Sequence, residues 1–217
     1  MNVTYDLSTP PKHDIYDHPA TRLRITIRAL NTRTDGGPLP WTASWHPYFA
    51  VTDVSTTKVS FDSCGGAWRH LLCGPGAPRG GDLIPTGQSE EWTLFDGNTS
   101  LGGTAAKPTY FDDEYTSTLA ANPLVPRPRF DAHGRRCGPP GDITNVIIDG
   151  DEQTVVVGEG MQFQTWQIFT GAKEGWGWDA IALEPMSGLA DAFNNGKGLT
   201  VLMPGEAYEG SFSVHLE

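Results

Sequence analysis

Two side chains in this sequence combine proton chemistry with apolar surroundings. In SWHPYF, Ser44 to Phe49, His46 sits between Trp45 and Pro47 and is followed by two aromatics. Imidazole has the unperturbed pKa nearest neutrality, so a pocket histidine donates or accepts a proton at low cost. The neighbouring aromatics, Tyr48 among them, would supply an apolar face beside it. A core or loop histidine satisfied by its neighbours fits the same residues equally well.

Glu184 follows the apolar run Ile181, Ala182 and Leu183 and precedes Pro185, whose ring drives the residue before it toward extended geometry. A glutamate at a strand end is usually wet. One that follows three apolar residues is expected to be partly desolvated, which raises a carboxyl pKa toward the range useful for a base. The stretch TYFDDEYTS carries Asp112, Asp113 and Glu114 between aromatics and reads most simply as a solvated acidic loop. If it is a strand, the adjacent aspartates point to opposite faces and at most one enters a pocket. The six histidines show neither HxH nor HxxxH spacing, so no metal site is expected. GxSxG, GxGxxG and GxxxxGK[ST] are all absent, which argues against a serine hydrolase and a nucleotide phosphate site.

Positioning these groups falls to strands. In TRLRITIRAL, Leu23, Ile25, Ile27 and Ala29 alternate with Arg22, Arg24, Thr26 and Arg28, the period of a strand with one wet face. SFSVHL repeats the pattern with Phe212, Val214 and Leu216. Two β-branched runs, Val146 to Ile148 and Thr154 to Val157, flank a turn-rich connector and predict a hairpin. MQFQTWQIFT and LTVLM add two further strands, and no segment of ten or more residues carries a convincing 3.6-residue period. The reading is all-β with long loops. Cys64 to Gly81 is expected to be a surface excursion, Pro123 to Pro140 a loop, and residues 1–20, with Pro10-Pro11, an irregular lead-in.

A chain of 217 residues forms one sizeable core, burying roughly 70% of its unfolded surface. Fifteen basic against 26 acidic residues give a net charge of −11, and no Lys/Arg cluster is long enough to track a phosphate backbone, so nucleic acid is not an expected partner. The apolar runs fall far short of the roughly 20 residues that span a bilayer, and no membrane partner is expected. Three cysteines, Cys64, Cys73 and Cys137, leave a Cys64–Cys73 pairing open but favour free thiols in a reducing compartment. With no basic stretch leading into an apolar one at the amino terminus, a cytoplasmic location is expected.

Five ordered segments, ASWHPYFAV, LIPTG, LGGTAAKPTYFDDEYTS, FQTWQIFTG and ALEPMSGLADAFNNGKGLTVLMPGEAYEGSFSV, resemble the aldose 1-epimerase (galactose mutarotase) family over about Thr21 to Glu217. The resemblance implies a large antiparallel β-supersandwich over residues 21–217, a monosaccharide substrate, and no metal or organic cofactor. By motif, Glu184 of LEPM matches the general base and His46 of HPYF the general acid. Asp112, first aspartate of FDDEY, matches a carboxylate that holds sugar hydroxyls, and Tyr48 is expected at the substrate beside it. The implied reaction interconverts α and β anomers of a free hexose through ring opening, with acid and base on different sides of the sugar ring.

Family members usually carry a further segment ahead of the strand corresponding to TRLRITIRAL, with an arginine and an HGG-type histidine that this sequence does not match. An N-terminally shortened sandwich is therefore expected, and exposed strand edges invite self-association. Three alternatives stand beside the epimerase: a non-catalytic carbohydrate-binding module, a hexose-6-phosphate 1-epimerase, and, more weakly, a glycosidase using Asp112 and Glu184. The phosphate reading needs a basic cluster at the pocket rim, for which Arg22, Arg24 and Arg28 are the candidates.

Overall fold

The computed structural model describes residues 1–9, 21–62, 68–74, 83–102, 111–117, 143–159, 162–163, 165–170 and 179–216. In chain order the strands are β1 (Asn2–Ser8), β2 (Thr21–Leu30), β3 (Leu39–Trp41), β4 (Tyr48–Ala50), β5 (Lys58–Asp62), β6 (Trp68–Cys73), β7 (Pro85–Trp92) and β8 (Asp96–Ser100). They continue with β9 (Asp112–Ser117), β10 (Ile143–Asp149), β11 (Glu152–Glu159), β12 (Thr165–Phe169) and β13 (Ala180–Met186). A four-residue helix α1 (Ala192–Asn195) then precedes β14 (Thr200–Leu202) and β15 (Ala207–Leu216).

These strands form a seven-stranded sheet, β1-β2-β15-β11-β10-β5-β8, a six-stranded sheet, β4-β13-β12-β9-β6-β7, and a small β14-β3 pair. The fold is an antiparallel β-sandwich. Its core lies between the two large sheets, where Val59, Ile147, Val156 and Val214 of one meet Tyr115, Trp166, Ile168, Ile181 and Leu183 of the other. Because strand side chains alternate, burying Ile181 and Leu183 inward turns Ala182 and Glu184 to the opposite face of the six-stranded sheet. Core packing on one side thereby fixes what the other side displays.

Alternation identified β2, β15 and the β10–β11 hairpin correctly, and the loop between the latter pairs Asp149 with Glu152. Three expectations need correction. TYFDDEYTS, read most simply as a solvated loop, holds strand β9 over Asp112–Ser117 with Glu114 buried. Residues 1–20 are not an irregular lead-in throughout, since Asn2–Ser8 forms β1, paired along its whole length with β2 from Asn2↔Arg28 to Ser8↔Arg22. Val3, Tyr5 and Leu7 alternate with polar residues there, a period obscured by the polar, proline-bearing stretch that follows. Likewise, Cys64 to Gly81 is not wholly a surface excursion: Trp68–Cys73 is β6, hydrogen-bonded to β7 and β9 with Trp68 buried. The glycines and prolines that suggested a loop flank this strand and do not interrupt it. Cys64, Cys137 and Pro123 to Pro140 lie outside the described residues.

Candidate active site

The four residues singled out in the sequence come together on the outer face of the six-stranded sheet. Tyr48 stands opposite Ala182, and Ser44 bridges to Met186 in the same register, so His46 falls opposite Glu184. Trp45 N–H donates to the Pro185 carbonyl at 3.2 Å, which holds the intervening chain against β13. Two prolines loosen the ladder at this point: Pro185 and Pro47 have no N–H to donate, which confines regular pairing to β4 itself. Directly opposed residues share a face with their Cβ atoms about 4.5–5.5 Å apart. The outcome is direct contact, with His46 Nε2 3.1 Å from Glu184 Oε1.

From there the face extends as two transverse rows. The first runs His46, Glu184, Gln167, Glu114, since Gln167 on β12 is opposite both Glu184 on β13 and Glu114 on β9. The second runs Tyr48, Ala182, Phe169, Asp112 by the same pairings. Gln167 Nε2 donates to Asp112 Oδ1 at 2.9 Å and ties the rows together. On the aromatic side, the Tyr48 ring lies 4.9 Å from His46 and meets Phe169 edge-on at 6.5 Å. The two aspartates do part company: Asp113 faces the other way and meets His70 Nε2 at 3.2 Å.

Burial tunes the acids. Desolvation, with the nearby negative charge of Asp112, pushes Glu184 up to about 7. Glu114, only 2% exposed, is likewise pushed up to about 7 by burial, against the opposing effect of the Ala190 N–H. Asp112 is raised by desolvation, partly offset by its hydrogen bond from Gln167 and by the His46 charge, while Asp113 adds to the rise. The His46 side chain, by contrast, is 53% exposed while that of Glu184 is 11% exposed. A buried carboxyl that titrates near neutrality, touching a solvent-facing imidazole, is an acid–base pair able to exchange protons with a ligand on this face.

Three features were not anticipated. Direct contact between His46 and Glu184 was one, and it arises because strand register makes them neighbours. Gln167 and Glu114 were missed altogether. Gln167 alternates with buried Trp166 and Ile168 in TWQIF, a pattern that places it on the outer face but does not name its partners. Glu114 was read as a wet loop acid. Arg22, Arg24 and Arg28, meanwhile, lie on β2 opposite Ile25 and Ile27, on the far side of the sandwich from these rows, with Arg24 on Glu159 at 2.6 Å and Arg28 near Glu209 at 3.9 Å. Among the described residues no group of three or more His, Cys, Asp or Glu side chains could hold a metal ion, and no helix is long and apolar enough to cross a membrane.

A sequence profile described as aldose 1-epimerase matches residues 18–215. The chain belongs to the aldose 1-epimerase family. Among solved structures, an Escherichia coli K12 protein provisionally named aldose 1-epimerase superposes with a TM-score of 0.57 at 18% identity, covering 90% of this chain and 56% of its own. A galactose mutarotase related enzyme of Lactobacillus acidophilus gives a TM-score of 0.59 at 12% identity, covering 99% and 68%. The Slr1438 protein of Synechocystis sp. PCC 6803 gives 0.55 at 19%, covering 91% and 53%. At these identities the likeness speaks for the fold. A protein of Cenchrus ciliaris provisionally named glucose-6-phosphate 1-epimerase is 44% identical over 41 residues, 19% of this chain and 12% of the relative. This aldose 1-epimerase family member thus spans little more than half the length of the first two solved relatives.

Proposed function

We propose that the protein interconverts the α and β anomers of a free aldohexose, with Glu184 as general base and His46 as general acid. The observation that carries this reading is the His46–Glu184 contact on the face shared with Asp112 and Tyr48. Ionised Glu184 removes the proton of the C1 hydroxyl while protonated His46 delivers one to the ring oxygen, and the C1–O5 bond breaks to leave the open-chain aldehyde. After rotation about C1–C2, the O5 hydroxyl attacks the other face of the carbonyl carbon, returns its proton to His46, and the new C1 oxygen takes back the proton from Glu184. No net proton is consumed. Asp112, oriented by Gln167, accepts hydrogen bonds from sugar hydroxyls, and Tyr48 flanks the ring.

For a sugar ring to stand between acid and base, the imidazole must swing away from Glu184. Its exposure on the segment leading into edge strand β4 supports that movement. The same contact favours an enzyme over a binding-only module, which has no use for a carboxyl titrating near neutrality against an imidazole.

A hexose 6-phosphate is the second reading, favoured by the 41-residue match to the Cenchrus ciliaris protein. Arg22, Arg24 and Arg28, across the sandwich, do not supply the basic cluster that this second reading needs. Polarimetry on freshly dissolved α-D-glucose, α-D-galactose and α-D-glucose 6-phosphate, with the protein, Glu184→Gln and buffer alone, tests both. A rate above buffer on the free sugars that vanishes in the variant is expected. Folded protein without any rate on the three sugars would overturn the enzymatic reading, and a rate on the phosphate alone would replace the first by the second.

A further inference from the structure

Glu114 has no part in the chemistry above, yet it is the most deeply buried of the carboxylates on the site face and lies in the same transverse row as the acid–base pair. Both its oxygens accept the backbone N–H of Ala190, at 3.1 and 3.2 Å. Ala190 belongs to the turn that follows β13, the strand bearing Glu184. We propose that Glu114 is a positioning residue that holds this turn against the sheet and, through it, sets the placement of His46 relative to Glu184; the inference rests on the acid–base reading for its catalytic consequence only.

The mechanical path is continuous. Ala190 is held at both of its backbone polar groups, its N–H by Glu114 and its carbonyl by Asn195 Nδ2 at 3.0 Å. The turn folds back on itself, Leu189 N–H donating to the Lys197 carbonyl at 3.2 Å, with Gly188 and Gly198 so close that a Cβ on Gly198 would lie 2.8 Å from the Gly188 Cα. At its near end, Ser187 N–H donates to the Ala43 carbonyl at 2.8 Å, and Ala43 N–H donates to Ser187 Oγ at 2.7 Å. Ala43 leads through Trp45, itself bound to the Pro185 carbonyl, to His46. His46 therefore hangs from the same chain segment that Glu114 pins to β9.

A carboxyl oxygen accepts from the Ala190 N–H whether the group is ionised or neutral, so this tether adds to the ordinary backbone bonds around it at any pH. Its loss leaves the turn attached through its own chain and the Ala43 link. A misplacement of about 1 Å at a catalytic pair costs on the order of 10²-fold in rate. Catalysis therefore suffers even where folding does not, because replacing a buried carboxyl with an apolar group of similar size removes a desolvation cost.

The test compares wild type, Glu114→Leu and Glu114→Gln by amide hydrogen exchange at Ala190, by NMR of the His46 ring resonances, and by polarimetry with kcat separated from KM. In wild type, the Ala190 amide should be the slowest to exchange between Ser187 and Gly198. Glu114→Leu should speed that exchange, move the His46 resonances and lower kcat by roughly 10 to 10²-fold, with KM changed far less. Glu114→Gln keeps an acceptor oxygen and should restore all three readouts. A folded Glu114→Leu with Ala190 protected and His46 unmoved would overturn the proposal, as would fast Ala190 exchange in wild type, a result that needs no variant to fold. Wild type lacking mutarotation would sink the acid–base reading alone, since exchange and resonance still decide the role of Glu114.

Discussion

Replacing Glu184 with glutamine should separate two consequences of burying a carboxyl group. In the folded protein the group titrates at about 7 instead of its ordinary 4.5, chiefly because it is desolvated. A raised pKa means that the fold favours the protonated form. The associated stability is fully present below about 4.5 and is lost as pH rises through about 7. At about 1.4 kcal/mol per unit the rise corresponds to roughly 3 kcal/mol of destabilisation once the carboxylate is ionised. Glutamine is neutral at every pH, so the variant escapes this loss. Urea denaturation of both proteins at about pH 4.5 and about pH 8.5 should show Glu184→Gln gaining up to roughly 3 kcal/mol on wild type at the higher pH, or about 6–12 °C in Tm for a chain of this size. Mutarotation by the same variant should fall by roughly 10² to 10⁴-fold. Parallel stability curves for the two proteins would refute the reasoning, because they would mean that Glu184 is as well solvated folded as unfolded.

Wild-type kcat/KM should rise with pH through about 7 as Glu184 ionises, and a rate that is flat from about pH 5 to 8 would remove Glu184 as the base. Gln167→Leu takes away the amide that holds Asp112, and the loss of a hydrogen bond to a charged group should lower kcat/KM by roughly tenfold or more in the polarimetric assay, with melting little changed. His70 behaves oppositely to Glu184 in sign of partner: burial pulls its pKa down, but hydrogen bonds and charge from Asp113 and Glu90 outweigh it and leave it above the ordinary 6.5. Its contribution is therefore complete below about 6.5 and is lost as pH rises through the raised value, so His70→Phe should flatten the stability curve across that window in chemical denaturation. Trp166→Ala opens the centre of the core and should cost about 3–5 kcal/mol by the same measurement.

Much of the architecture was legible because it depends on local period. Leu23, Ile25 and Ile27 alternating with arginines could only be a half-buried strand, and Val146 to Ile148 with Thr154 to Val157 only a hairpin around its turn. The burial of Glu184 was legible for a similar reason: a carboxylate after Ile181, Ala182 and Leu183 is desolvated wherever that strand packs. Local period also failed at β9, read as a loop, and at two strands more. β1 and β6 were hidden by prolines and glycines beyond their ends, since composition averaged over a stretch cannot show where a strand stops.

Register decided the rest. Whether His46 stands opposite Glu184, or one residue away on the other face, depends on long-range pairing that the core side of β13 enforces by burying Ile181 and Leu183. Gln167 and Glu114 enter the site for the same reason. Each is an ordinary polar strand residue until its cross-strand neighbours are known. Nothing in FDDEY foretold that Glu114 would be buried against the Ala190 N–H, because its partner arrives from a turn far along the chain. The sequence by itself determined the strongly alternating strands, their inward faces and two groups capable of acid–base chemistry. Only the tertiary structure decided which groups touch, because contact between distant strands is set by the packing of the whole sandwich and not by any residue's own preference.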